Sequence, residues 1–310
     1  MNRPTFARAR PLLGTVVDIR ASGDSAEAVH TAIAAAFAAV ERIHAAMSYH
    51  DPASELSRVN RAAPGEWLEL SPDLASVMRF SKQVSRASDG LFDPTVAPVL
   101  CGMGYLPRHG NAPRVSGQGT WRDIELAGNR LRMRRRVRID LGGIAKGYAV
   151  DQALAVLKAA GMAAARVNAG GDLALFAPQA EDVHVRHPRD PARLIRVARL
   201  AAGGIATSAG YFQACRRNGR WVTPLVHPRT RECLCLADSV SVVAPDCMTA
   251  DALTKVVAAD PAGAPAVIEH FGAQAIRLDP EGPLLRAFTT LPHGTWRAQW
   301  LPDMPRGDGA

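Results

Sequence analysis

Aromatic residues make up only 5% of this 310-residue chain, and there are five cysteines. The cysteines fall at uneven spacing (Cys101, Cys215, Cys233, Cys235, Cys247), which excludes a regular disulfide framework. Cys233-Leu-Cys235 is the one close pair. A zinc site usually takes a second pair or a nearby His pair, and neither is there, so ordinary half-buried thiols on a strand are the simpler reading. No run of about 20 apolar residues occurs, so no transmembrane helix is expected. The first ten residues carry charge with no apolar core behind them. They do not read as a secretory signal, and a cytoplasmic location follows by default. There is no internal repeat and no linker. The expectation is one domain over residues 1–300 and a disordered Pro/Gly-rich tail at 301–310.

What is present is an apolar fraction of 47%, enough for a sizeable core, and a net charge of +8. The densest basic run is Arg130-Leu-Arg-Met-Arg-Arg-Arg-Val-Arg138. Apolar residues interleave with the arginines, as on a strand with one wet face. The alternative is a nucleic-acid surface, but no aromatic platform or nucleic-acid motif accompanies it, and no nucleic-acid partner is expected.

Helical periodicity predicts a long amphipathic helix from Ala26 to about Met47 behind the N-cap Ser25, and a second between Ser71 and Ser88. Ser54 caps a short helix after Pro52. The polar stretch between Met47 and Asn60 is either a capped turn or a holder of a polar ligand. Strands are expected at 12–20, on both sides of Gly128-Asn129, on both sides of Gly170-Gly171, and around Pro228-Arg-Thr-Arg231. A helix from Met248 to Ala259 carries Asp251 in its first turn. Strands and helices are mixed rather than alternating, which favours α+β.

The segment Arg138-Ile-Asp-Leu-Gly-Gly-Ile-Ala-Lys-Gly-Tyr148 organises these pieces. Its first half alternates as a half-buried strand, Gly142-Gly143 break it, and helical spacing begins at Ile144. A helix start after glycines offers backbone N–H groups to an anion. Lys146 adds a mobile positive charge and Asp140 a carboxylate. The plain alternative is a tight glycine turn. If the Gly-Gly sites at 142, 170 and 203 converge, they form one cleft for a large phosphate-bearing ligand.

Several segments, in order, resemble the ApbE family of FAD:protein FMN transferases. They are Leu13-Gly-Thr; Met47-Ser with Ser54-Glu-Leu-Ser-Arg-Val-Asn60; Gly90-Leu-Phe-Asp-Pro-Thr-Val-Ala-Pro98; Asp140-Leu-Gly-Gly-Ile-Ala-Lys-Gly147; Asn168-Ala-Gly-Gly-Asp172; Ala206-Thr-Ser-Ala-Gly-Tyr211; and Ala250-Asp-Ala-Leu253. The resemblance implies a T-fold-like α+β architecture with an elongated flavin cleft. It implies Mg²⁺-dependent cleavage of the FAD pyrophosphate, transfer of FMN to a Ser or Thr of an acceptor flavoprotein, and release of AMP. FAD contacts are implied for Leu13, His50, Leu91, Phe92, Asp93, Asp140, Lys146 and Ile205, and a metal near Gly143 and Asp251.

Two departures qualify the resemblance. The family's Asp-x-x-x-Thr metal motif reads Asp251-Ala-Leu-Thr-Lys255, with Lys255 where a Thr oxygen is expected. A charged ammonium repels Mg²⁺, and Asp251 and Lys255 are spaced to pair on one helix face. Thr254 is the alternative ligand, one position round the helix. The family's His-x-x-Asp-Pro-x-Thr-Gly reads Pro224-Leu-Val-His-Pro-Arg-Thr-Arg231. The expected His falls on Pro224, and His227 is the remaining candidate base, with a purely structural role as its alternative. The catalytic candidates are Asp251, Lys255 and His227. The leading expectation is a flavin transferase in which Lys255 replaces part of the metal's charge. Its rival is a flavin-binding or FAD-hydrolysing member that has lost transfer.

Overall fold

A computed structural model describes residues 3–108, 119–188, 190, 192–210, 214–217, 220–234 and 238–278. Cys235, Tyr211 and the tail expected at 301–310 lie outside the described residues. In chain order the elements begin with β1 (Thr5–Leu12), β2 (Thr15–Ser22), α1 (Ala26–Met47), α2 (Glu55–Arg61), β3 (Leu68–Glu69), α3 (Pro72–Ala87) and α4 (Ala97–Met103). They continue with β4 (Ile124–Ala127), β5 (Arg130–Met133), α5 (Ala145–Ala159), β6 (Ala164–Ala169), β7 (Asp172–Arg186) and β8 (Leu194–Ala209). The last are β9 (Cys215–Arg217), β10 (Arg220–Val222), β11 (Ser239–Ala244), α6 (Cys247–Ala259), α7 (Ala264–His270) and β12 (Gln274–Leu278).

The centre is a seven-stranded sheet in the order β1-β2-β6-β7-β8-β11-β12, with antiparallel pairing throughout. Helices α1, α5 and α6 pack side by side on one face. Their apolar stripes, such as Ile33, Phe37, Val40 and Ile43 of α1, enter the main core with Val17, Ile19 and Val167 of the sheet. The long β7–β8 pair carries a second apolar cluster, including Leu173, Leu175, Val197 and Ile205. The fold is α+β. Among the described residues no helix is long and apolar enough to cross a membrane.

The capping expectations follow local chemistry. Ser25, Ser54 and Ser71 each accept a hydrogen bond from a first-turn amide of the helix they precede. The hairpin at Gly128 and the Gly170-Gly171 turn also form as expected.

Four expectations change. Helix α6 begins at Cys247, so Asp251 falls beyond its first turn. The first strand is preceded by another: residues 5–12 form β1, and Leu13-Gly14 is the two-residue turn between them, both at positive φ. Val137–Leu141 has strand-like alternation but pairs with no strand. Its partners are a side chain and a loop. Asn60 accepts from the Ile139 N–H at 2.7 Å and donates to the Ile139 carbonyl at 2.8 Å, and the Asp140 N–H donates to the Pro94 carbonyl. Gly203-Gly204 is not a crossing but lies within β8.

The basic run is absorbed by a small sheet of β3, β5 and β4. Arg130 and Arg132 lie over the Trp67 ring, Arg132 and Arg134 pair with Glu125, and Arg135 pairs with Asp123. Cys233 sits beside Thr223, its Sγ accepting from the Thr223 amide and donating to the Thr223 carbonyl.

Candidate active site

A cavity of about 1500 Å³ is lined together by strands of the sheet, helix starts and loops. Leu13, His50, Leu91, Phe92, Asp93, Asp140, Lys146 and Ile205 all line it. Gly142, Gly143, Gly170 and Gly171 line it too, so two of the three glycine pairs meet there; from the third, neither glycine lines the cavity but the neighbouring Ile205 does.

Each wall is positioned by local structure. Leu13 holds φ +57, a left-handed conformation that costs a leucine roughly 1 kcal/mol. The hairpin thereby presents Leu13 at the cavity. The polar loop after α1 is a capped turn that also borders the cavity. Ser54 and Ser57 donate to the carbonyls of Ser48 and Asp51 and tie the loop to itself, while Ser48, Tyr49 and His50 line the cavity. Asp93 is buried with its oxygens already engaged: Oδ1 accepts from the Thr95 amide and hydroxyl, and Oδ2 from the Trp121 amide. Burial nevertheless pushes its carboxyl up, against those bonds and Arg231.

The glycine turn before α5 is less open than the sequence suggests. The Asp140 carboxylate takes bonds from the Gly142 and Leu141 amides, although burial pushes this carboxyl up. The Ile144 and Ala145 amides donate to the Leu141 carbonyl, and the Gly147 amide donates to Asp251 Oδ2 at 3.2 Å. Much of the positive character at this helix start therefore comes from side chains.

Those side chains form one network. Lys146 pairs with Asp172, and its Nζ lies 3.9 Å from Asp251 Oδ2. Lys255 Nζ donates to Asp251 Oδ1 at 2.5 Å and to Thr254 Oγ1 at 3.0 Å. Asp251 is wholly buried, behind the cavity wall that Lys146 and Lys255 form. Burial would raise its carboxyl, but Lys146 and then Lys255 outweigh that and hold it below the ordinary carboxylate range. Burial likewise opposes the charge on Lys146, yet Asp172 and then Asp251 keep its ammonium protonated well above the usual range. Asp172 joins the sequence candidates here. Strand position could have found it: it follows the glycine pair directly, at the mouth of the β6–β7 hairpin.

The metal implied by the resemblance does not fit this arrangement. The stem of Lys255 lies on Gly143: a Cβ there would stand 3.1 Å from Lys255 Cε. Thr254 Oγ1 is committed to the Asp251 carbonyl at 2.7 Å and to Ser208 Oγ at 2.8 Å. Two unit charges 4 Å apart repel by about 4 kcal/mol at an effective dielectric near 20, and a divalent ion doubles that. Among the described residues no group of three His, Cys, Asp or Glu side chains is placed to hold a metal ion.

His227 is not among the residues that line the cavity, whereas Pro224 is. His227 Nδ1 accepts from the Arg229 and Thr230 amides and so closes its own turn. The turn is fastened to the cavity wall by residues that sequence reasoning passed over. Arg231, at φ +60 where the family pattern has Gly, donates to the carbonyls of Thr95 and Gly119, and Arg229 donates to Asp89. A left-handed residue at the end of a Pro-x-Thr turn is the signal for Arg231; its contacts are not local and leave none.

Behind the network, Asp151 of α5 accepts from the Cys247 and Met248 amides, both at 2.8 Å, and so holds the start of α6. Burial pushes Asp151 up to about 7, against those amides, with Asp246 and Asp251 adding to the rise. A carboxyl raised in the folded state keeps a proton that the unfolded chain releases near pH 4. Stability should therefore fall as pH rises from about 4 to 7. In Asp151→Asn that component of the slope should vanish from melting temperatures measured across the window; an unchanged slope would refute the assignment.

An antiparallel sheet backed by three helices thus borders one large cavity where two glycine turns meet. The model of the ApbE family matches residues 13–277, and the chain belongs to that family. It is 26% identical over 291 residues to an FAD:protein FMN transferase of Rhodobacter capsulatus, covering 88% of this chain. The chain spans only 55% of that relative's length. It is 30% identical over 229 residues to one from Chlamydia pneumoniae, covering 67% of this chain and 69% of that one. Among solved structures, an ApbE protein of Thermotoga maritima superposes with a TM-score of 0.79 at 26% identity, covering 90% of this chain and 96% of that one. The apo flavinyl transferase ApbE of Pseudomonas stutzeri has the same fold, with a TM-score of 0.76 at 22% identity, covering 91% and 93%.

Proposed function

We propose that this chain is an FAD:protein FMN transferase. It cleaves the FAD pyrophosphate, attaches FMN through a phosphoester to a Ser or Thr of an acceptor flavoprotein, and releases AMP. The observation that carries this reading is that all eight positions for which the resemblance implies FAD contacts, from Leu13 to Ile205, converge on one cavity of about 1500 Å³. That exceeds the 300–1,000 Å³ typical of drug-sized pockets and suits a dinucleotide.

In this reading the hydroxyl oxygen of the acceptor attacks the FMN phosphorus in line, the bond to the AMP phosphate oxygen breaks, and the hydroxyl proton leaves to water as AMP departs. Such a transfer needs positioning and neutralisation of charge more than covalent help. Lys146 and Lys255 supply positive charge on the cavity wall, and Asp172 and Asp251 behind them hold both ammoniums in place. Leu13, Leu91, Phe92 and Ile205 give the apolar surface that a flavin ring would bury. His227 has no part in this scheme, because its Nδ1 is engaged within its own turn.

A second reading, a flavin-binding member that has lost transfer, is favoured by one feature: Pro224 lines the cavity at the position of the family's His and offers no ring nitrogen. Mass spectrometry of an acceptor flavoprotein incubated with this protein and FAD decides between them. A covalent FMN adduct on one Ser or Thr, absent when that residue is Ala, is the expected result. FAD bound without an adduct would select the second reading, and no FAD binding would remove both.

A further inference from the structure

We infer that Lys255 is a built-in cation: its ammonium occupies the place between Gly143 and Asp251 that a divalent metal ion would take, so the site receives FAD without one. The inference rests on the flavin reading for its ligand, but its geometry stands apart from it. Three contacts hold the ammonium there. It bonds Asp251 Oδ1 at 2.5 Å and Thr254 Oγ1 at 3.0 Å, and its stem lies against Gly143.

The balance of charge agrees. The cluster holds two ammoniums, Lys146 and Lys255, and two carboxylates, Asp172 and Asp251. It is neutral as built. Asp251 has both oxygens engaged, Oδ1 by Lys255 and Oδ2 by the Gly147 amide with Lys146 nearby. A metal ion would have to share each carboxylate oxygen with a hydrogen-bond donor already there and would face an ammonium at contact distance. The Lys255 side chain keeps 22% exposure and lines the cavity, so its remaining N–H can donate to a phosphate oxygen. The substrate form is then free FAD rather than its metal complex.

The test titrates the whole protein with Mn²⁺, with and without FAD, and measures FAD affinity by flavin fluorescence in Mg²⁺ and in EDTA. The same is done for Lys255→Thr and, as a neutral control, Lys255→Met. The wild type should bind no Mn²⁺ at this site, and its FAD affinity should change by less than about twofold between Mg²⁺ and EDTA. Lys255→Thr should acquire one Mn²⁺ per chain and an FAD affinity that falls about tenfold or more in EDTA. Lys255→Met should lose FAD affinity without gaining Mn²⁺. One Mn²⁺ per wild-type chain, or wild-type FAD affinity that collapses in EDTA, overturns the inference even if neither variant folds. A folded Lys255→Thr that gains no Mn²⁺ overturns it as well. Absence of FAD binding in every condition would remove the flavin reading instead, while the Mn²⁺ titrations still decide the place of the ammonium.

Discussion

Asp251→Ala should lower the unfolding free energy by about 4 kcal/mol, the range found when one partner of a buried ion pair is deleted. Asp251 is wholly buried and stands between Lys146 and Lys255. Removing it leaves Lys255 without its carboxylate, Lys146 with Asp172 alone, and the Gly147 amide without its acceptor. Truncation adds a small cavity, but the stranded charge dominates the expected loss. In a thermal melt the change should appear as a fall of roughly 10 °C. Adding Lys255→Met to Asp251→Ala should recover part of it, because the unpaired ammonium goes too. A double variant no better than the single would show that the loss comes from Lys146 or from packing, not from Lys255.

Gly147→Ala should cost about 3 kcal/mol, toward the upper end for overpacking. On an exposed helix the same change would stabilise by about 1 kcal/mol through helix propensity, so the sign itself is diagnostic. Gly147 lies inside α5 where α6 crosses it. An added Cβ would stand 2.4 Å from the Cys247 carbonyl oxygen and 2.8 Å from Met248 Cα. Both are backbone atoms, so no rotamer change relieves the contact, and α6 itself must move. Its start is also pressed from the other side, since a Cβ on Gly204 of β8 would lie 2.4 Å from the Cys247 amide nitrogen. Because α6 carries Asp251 and Lys255, the variant should lose FAD affinity along with stability. Chemical denaturation and flavin fluorescence on the same sample test both. A stable Gly147→Ala protein would mean that the α5–α6 joint has slack.

The two substitutions bear on the same joint from different directions. Asp251→Ala removes charge from a well-packed junction, whereas Gly147→Ala disturbs the packing and keeps every charge. If FAD affinity responds to the second as strongly as to the first, the position of Lys146 and Lys255 matters as much as their presence. That outcome would fit preorganised electrostatics, in which fixed charges act without rearranging.

Much of this architecture can be read along the chain. Ser25, Ser54 and Ser71 announce helix starts because an N-cap acts within three residues of itself, and the apolar spacing of α1 and α3 is equally local. The turns at Gly128 and Gly170 need residues that tolerate positive φ, and glycine is there. The ordered motifs from Leu13 to Leu253 indicated the family and the cavity. Val137–Leu141 shows the limit. Its alternation records which side chains are buried, but a ladder needs a neighbouring strand, and the neighbour here is Asn60, 79 residues away in sequence. Lys146, Asp172 and Asp251 were separately visible, yet their network depends on two glycines that let α6 approach α5 and β8. Arg231 reaches Thr95 and Gly119 across more than a hundred residues. Local order was therefore determined by the sequence alone, because caps, periods and turns act over a few residues. That Lys255 replaces the expected Thr and can pair with Asp251 was legible in the sequence, but that Lys146, Asp172 and Asp251 meet and that the Lys255 stem lies on Gly143 was decided only by the packing of distant elements.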